Sequence, residues 1–441
     1  MNPPTAPTRD VDQRRIVSLW WPLAASWLLM GAEMPLVVAA VSRLAEPKTH
    51  LAAISAIVYP ISLLVEGPVI MLLAASTALA RDRASYHWLR RFVYSSAALL
   101  TAVHVGVAFT PLYDVVAGDW LGAPAEALEP GRLGLRLMTP WTGMIAYRRF
   151  QQGVLIRFDR SRDIGIGTLV RLIANGGILL AGLLHGGYSG VAVGATAIAA
   201  GVTAEAAYAA AAVRPIRRAL PARDPNAQAL HARSFVSFYV PLAITPVLSL
   251  AAQPVGAAAM NRMPQALTSV ASWGAVYGLI FLLRSFGFAF QEATVRLLDE
   301  PGGQPALRRF ALRLSLVTSG ALLLLWATPL ARVWFRDVSG LPPDLVEVCA
   351  TVIGLGVLMP AYSVWMNYYQ GILVQTGHTR PVTVAVALYL TVASMGLWLG
   401  VQTQSWSGLP WALVSFTVAG LSQAVLLAWA ARRAAATASP A

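Results

Sequence analysis

The chain has 441 residues, 57% of them hydrophobic and 12% charged, with 33 lysines and arginines against 20 aspartates and glutamates for a net charge of +13. A soluble domain carries roughly 25% charged residues, so this composition argues against one and points to a bilayer as the solvent. A single lysine, Lys48, and no G-x-x-x-x-G-K-[ST] run exclude ATP hydrolysis through a P-loop, while a single cysteine, Cys349, excludes an internal disulfide or a cysteine zinc cluster.

In chain order, apolar stretches near 20 residues recur at 16–41, 51–79, 92–113, 134–156, 164–184, 189–213, 235–259, 267–291, 311–331, 346–375, 381–402 and 409–431. Each is long enough to cross a hydrocarbon core of about 30 Å. They are continuous runs without strict alternation, which predicts helices rather than barrel strands. The first is too long for a cleavable signal peptide. The segment 114–129, with Asp114, Asp119, Glu126 and Glu129, reads as a solvated loop or a short external cap. The stretch 214–233, with Pro215, Pro221 and Pro225 among arginines, reads as a linker. The six histidines form no metal-ligand spacing, and no cofactor motif is present.

The chain repeats itself. Arg14, Pro22, Leu23, Ala24, Pro35 and Arg43 return 219 residues later as Arg233, Pro241, Leu242, Ala243, Pro254 and Arg262. Further on the offset is 218: Val58–Tyr59 returns as Val276–Tyr277, Leu89–Arg90–Arg91–Phe92 as Leu307–Arg308–Arg309–Phe310, and Gln152–Gly153 as Gln370–Gly371. A duplicated half in so apolar a chain is a signature of transporters with the site between the halves. The expected fold is therefore an all-α polytopic membrane protein of twelve transmembrane helices in two six-helix bundles. Its parts are 1–15 (N-terminus), 16–213 (first bundle), 214–233 (linker), 234–431 (second bundle) and 432–441 (tail).

Twenty-two basic residues fall on one side of this arrangement, six on the other and five inside spans. That bias puts both termini in the cytoplasm and requires no nucleic-acid partner. With six spans per half, the halves insert in the same orientation as a parallel repeat. The repeated Leu–Arg–Arg–Phe reads as a lipid-headgroup anchor, and Trp20, Trp21, Trp88, Trp120, Trp334, Trp406 and Trp411 as an interfacial belt.

Ionisable residues deep in a span are costly and mark function by default. Glu66 lies mid-span, and its repeat equivalent is Arg284. Opposite charges at equivalent positions predict a pair facing across the central cleft, either a gate, a permanent structural pair, or two polar groups near a wet vestibule. Glu33 lies just before the helix bend expected at Pro35; the second copy has Gln253 beside Pro254. Glu33 is either a coupling-ion carboxylate or a solvated residue near a span end. Arg148 and Arg149, with Gln151–Gln152–Gly153 after them, match Asn367–Tyr368–Tyr369–Gln370–Gly371 in the other half. They either line a cavity suited to carboxylate or phosphate or snorkel to the surface. Arg136 and Arg171 read as snorkelling groups, and Glu205 and Glu292 as facing the bundle or the interface.

The early Pro22–Leu23–Ala24 and Pro241–Leu242–Ala243 with later bends at Pro35 and Pro254 resemble the flippase superfamily that includes multidrug-and-toxin extrusion proteins. The segment Ser237–Phe238–Tyr239–Val240–Pro241–Leu242–Ala243 through Pro254, and Tyr59 followed by Gly67–Pro68, are closest in look to its progressive ankylosis branch. The resemblance implies alternating access between two bundles forming a V, without an enzymatic activity. It implies a monomer in a bacterial inner (plasma) membrane, with a small-molecule substrate and a coupling H⁺ or Na⁺. Three functions remain open, in this order: export of a small organic or phosphorylated anion, attracted by Arg284 and by Arg148 and Arg149; extrusion of organic cations or drugs coupled through Glu33 or Glu66; and flipping of a lipid-linked intermediate. In the second half Gln253 and Arg284 stand where acidic residues would help a cation. A membrane scaffold has no need of opposite charges deep in equivalent helices.

Overall fold

The computed structural model describes residues 11–223 and 230–438; Pro225 of the sequence analysis, with parts of the expected N-terminus, linker and tail, lies outside the described residues. All regular elements described are helical. Twelve long segments carry the architecture: α1 (Gln13–Val41), α2 (Pro47–Leu79), α3 (Arg83–Phe109), α4 (Thr139–Arg157), α5 (Ser161–His185), α6 (Gly190–Ala219), α7 (Ala232–Met260), α8 (Ala266–Leu297), α9 (Gly303–Ala327), α10 (Pro343–Gln375), α11 (Arg380–Thr403) and α12 (Gly408–Ala438). Eleven are long and apolar enough to cross a membrane. The exception is α4, because Arg148, Gln151 and Gln152 break its apolar run and are buried inside the first half instead.

Local chemistry sets the boundaries. The span expected at 134–156 divides at Met138 into a separate helix, Ala125–Leu137, and α4. Pro140 sits in the first turn of α4, where its missing N–H leaves no intrahelical bond unmade. Helix α3 starts nine residues before the apolar stretch, at a capping box in which Asp82 and Ser85 satisfy each other's backbone N–H. Helix α1 breaks at Ala32 into Gln13–Gly31 and Glu33–Val41. Pro35 has no N–H to offer the Gly31 carbonyl, so the break falls where the sequence places the bend.

The halves hold each other through equivalent contacts. Trp20 of α1 donates to the Phe286 carbonyl of α8 at 2.9 Å and packs its ring 5.3 Å from Phe310. Its repeat equivalent, Tyr239 of α7, donates to the Pro68 carbonyl of α2 at 2.6 Å, with its ring 5.5 Å from Phe92. Pro68 and Phe286, like Phe92 and Phe310, are themselves equivalents. The terminal end of each half's first helix thus packs into the opposite half. Trp20 is only 7% exposed, so it is an inter-half strap rather than the interfacial belt residue its place in the sequence suggests.

At the opposite end, away from the termini, two arginines make a second reciprocal contact. Arg43 donates to the carbonyls of Asp337 and Val338 at 2.8 and 3.2 Å. Arg262 donates to those of Asp119, Trp120 and Leu121 at 2.7, 2.8 and 3.2 Å. The acceptors lie at the ends of two short π-helical turns, Asp114–Trp120 and Trp334–Val338. Carbonyls at a helix end lack intrahelical donors and attract cations. Gly122 and Gly340 follow these turns at φ 62° and 68°. A side chain at either would be strained and would collide with the arginine. The segment 114–129 is therefore part of this closure.

Candidate functional site

The first half carries a compact ionic cluster. Arg171 of α5 grips Glu33 with both ends of its guanidinium fork, Nε at 2.9 Å from Oε1 and Nη2 on Oε2, and Asn175 adds a bond of 3.0 Å. Glu205 of α6 accepts from Arg148 at 2.5 Å and from Gln152 at 2.9 Å, with Arg171 Nη1 at 3.6 Å. Glu66 of α2 lies within electrostatic reach of Arg149, Arg148, Arg171 and Glu33, yet its Oε2 has no hydrogen-bond partner. Three carboxylates therefore face three arginines and their formal charges cancel. Two of the carboxylates are fully engaged, and Glu66 is the one with an oxygen to spare.

The second half keeps the same positions but empties them of charge. The equivalents of Arg148, Arg149, Arg171 and Glu205 are Met366, Asn367, Tyr389 and Gln423. What remains is Arg284, at Glu66's equivalent, and it is the sole buried charged side chain of that half among the described residues. Its Nη1 donates to the Tyr277 hydroxyl at 3.2 Å, and its Cζ lies 5.5 Å from the Phe288 ring centre and 5.3 Å from that of Tyr362. The polar groups in its electrostatic reach are the hydroxyls of Tyr362, Tyr277 and Tyr389. Arg284 Nε and the Tyr362 hydroxyl have no partner. A buried guanidinium flanked by ring faces and bonded to a phenol, with its Nε unpartnered, has a donor free for an anion.

These groups lie where the halves meet. Tyr277, Phe281, Arg284 and Phe288 form one stripe of α8. The ring of Trp27 of α1 lies 5.2 Å from that of Phe288, tilted by 50°, and a Cβ on Gly31 of α1 would meet Phe281 and Ser285. Pro35 rests against Gly278. The equivalents Tyr59 and Tyr277 lie within electrostatic reach of each other across the junction.

Several sequence expectations are corrected here. Glu66 and Arg284 form no ion pair with each other: Glu66 is drawn to the arginines of its own half, and Arg284 to the tyrosines of its own. Glu33 is 7% exposed and locked by Arg171, not solvated. Arg148 and Arg171 are buried rather than snorkelling, at 4% and 8% exposure. Asn367 spends its amide on the Ser363 carbonyl of its own helix at 2.7 Å. Gln253, Pro254, Gln370 and Arg149 are half-buried. The residues sequence reasoning missed are Arg171, Asn175, Tyr277 and Tyr362. The signal for the first was its ionisable character inside a span, and for Tyr277 its repetition of Tyr59.

No family model matches the sequence, and no curated protein matches it. Solved structures do. One, described as the inward-facing conformation of a multidrug resistance MATE family transporter of the MOP superfamily, aligns at TM-score 0.72 with 11% identity, covering 95% of this chain and 98% of that one. A MOP superfamily transporter from Pyrococcus furiosus, described as having a binding pocket of reverse polarity, aligns at 0.65 with 14% identity and 98% of each chain covered. An outward-facing MATE family transporter aligns at 0.63 with 14% identity, again over 98% of each chain. The chain has the twelve-helix fold of MATE family transporters.

Proposed function

We propose that this protein is a secondary transporter that exports a small organic anion by alternating access between its two halves. The observation that carries the reading is Arg284, buried at the junction of the halves with unspent donors and no carboxylate. An isolated charge removed from water costs several kcal/mol, and an anionic solute offsets that cost. The reversed pocket polarity described for the Pyrococcus furiosus transporter supports the same reading. Cation extrusion needs a carboxylate not already faced by cations; Glu33, the first-span candidate, is bound to Arg171, and Glu66, though it has an oxygen to spare, stands among Arg148, Arg149 and Arg171. We assign the coupling ion, H⁺ or Na⁺, to Glu66, whose free oxygen can take it. On this reading the termini are cytoplasmic, the plasma membrane is the site of action, and the arginine contacts at the other end close the outer side. The higher TM-score with an inward-facing than with an outward-facing transporter agrees with that.

Counterflow in proteoliposomes tests the proposal. Labelled organic anions and a lipophilic dye cation are offered separately under imposed pH and Na⁺ gradients. The expected result is anion flux that Arg284→Gln removes and that Glu66→Gln uncouples from the gradient without abolishing exchange. Gradient-driven cation flux lost in Glu66→Gln would make the protein a cation antiporter instead.

A further inference from the structure

The charge count and the rings around Arg284 narrow the class of anion, on the premise that the anion reading above holds. One buried positive charge stands in the second half, and the ionic cluster of the first half is balanced three against three. With the coupling ion released from Glu66, a solute with one negative charge therefore leaves the junction neutral. A trianion of the citrate kind would replace one unpaired buried charge by an excess of two, which a low-dielectric site opposes. The headgroup must offer two oxygens. Nη1 of Arg284 is committed to Tyr277, which leaves Nε unspent on one edge of the fork and the Tyr362 hydroxyl unspent nearby.

The rest of the solute meets rings. Phe288 and Tyr362 flank the guanidinium, Trp273 stacks on Tyr277 at 4.9 Å and 18°, and Trp27 reaches across from the first half to Phe288. Aromatic faces hold a planar apolar body by offset stacking and edge contacts. They offer nothing to the hydroxyls and extra carboxylates of a sugar phosphate or polyacid, whose burial without partners is costly. We infer that the transported solute is an aromatic monoanion, its carboxylate or sulfonate on Arg284 and Tyr362 and its ring among Tyr277, Phe288 and Trp27.

Three labelled probes separate the parts of this inference in counterflow with the wild-type protein. Benzenesulfonate carries one charge and a ring, methanesulfonate the same headgroup without the ring, and citrate several charges without a ring. Sulfonates stay ionised, so none leaks through the lipid as a neutral acid. The expected result is saturable benzenesulfonate counterflow about tenfold or more above that of the other two. Arg284→Lys, which keeps the charge but not the fork, is expected to raise the KM for benzenesulfonate more than it lowers kcat. Citrate moving faster than benzenesulfonate would overturn the aromatic monoanion while leaving an anion exporter in place. Equal benzenesulfonate and methanesulfonate rates would overturn the role of the rings. Flux of none of the three, in a preparation that moves the dye cation, would overturn the anion reading itself.

Discussion

Replacing Glu205 by leucine is expected to unfold the first half more than any other single change in the ionic cluster. Glu205 is 1% exposed and is the acceptor for Arg148 and Gln152, with Arg171 close by. Its loss leaves Arg148 buried without its hydrogen-bonded counter-charge and strips part of the compensation from Arg171. Breaking a buried pair from one side costs about 3–5 kcal/mol. The melting temperature of the purified protein and its monodispersity on size-exclusion chromatography should both fall sharply. Glu205→Leu combined with Arg148→Met removes both charges and should recover most of the loss, since apolar replacement of a whole pair is often nearly neutral. Glu66→Gln should cost less than Glu205→Leu, because the Oε2 it alters has no hydrogen bond to lose, although it leaves three arginines facing two carboxylates. If Glu205→Leu melts like the wild type, the cluster does not hold the half together and its arginines are available for another role.

Removing both arginine contacts at the end away from the termini, as Arg43→Ala with Arg262→Ala, is expected to shift the protein toward the state open at that end. The two side chains make five bonds to carbonyls of the opposite half. They are exposed, so each bond is worth only about 0.5 kcal/mol. Together they stabilise the closed end by about 2–3 kcal/mol, on the order of a hundredfold in the equilibrium between states. Spin labels at Ala45 and Ser405, in a Cys349→Ser background, read the separation of the halves by pulsed electron resonance. The double variant should populate a longer distance that the wild type lacks, and each single variant a part of it. Identical distributions in wild type and double variant would show that the arginines do not set the balance.

Much of this arrangement was legible in the sequence because duplication carries geometry with it. The offset of 219 that relates Arg43 to Arg262 also relates Trp20 to Tyr239, the offset of 218 relates Pro68 to Phe286, and these pairs make the same contacts from opposite sides. Glu66 and Arg284 are not paired in this structure, which removes the permanent pair among the expectations, and the reason is physical. Equivalence puts two residues at matching places in each half but does not turn them toward each other; local partners do. Glu66 has three arginines within its own half, whereas the equivalents of those arginines around Arg284 are Met366, Asn367 and Tyr389. The pairing of Glu33 with Arg171 was hidden because the two lie 138 residues apart and Arg171 has no charged counterpart in the other half to draw notice. The polar character of α4 lowered its apolarity as a span while marking it as a buried one.

The central claim is that Arg284 is where the solute binds, and equilibrium binding tests it without any assumption about coupling or direction. Labelled benzenesulfonate would be titrated into purified wild-type protein, Arg284→Gln and Glu66→Gln, each checked for an unchanged melting temperature. The account predicts saturable binding to the wild type and to Glu66→Gln, and at least about a tenfold loss of affinity in Arg284→Gln, the 1.4 kcal/mol that a single charge-assisted contact readily supplies. Undiminished binding to Arg284→Gln, or displacement of the label from the wild type by a lipophilic cation at the same site, would contradict it.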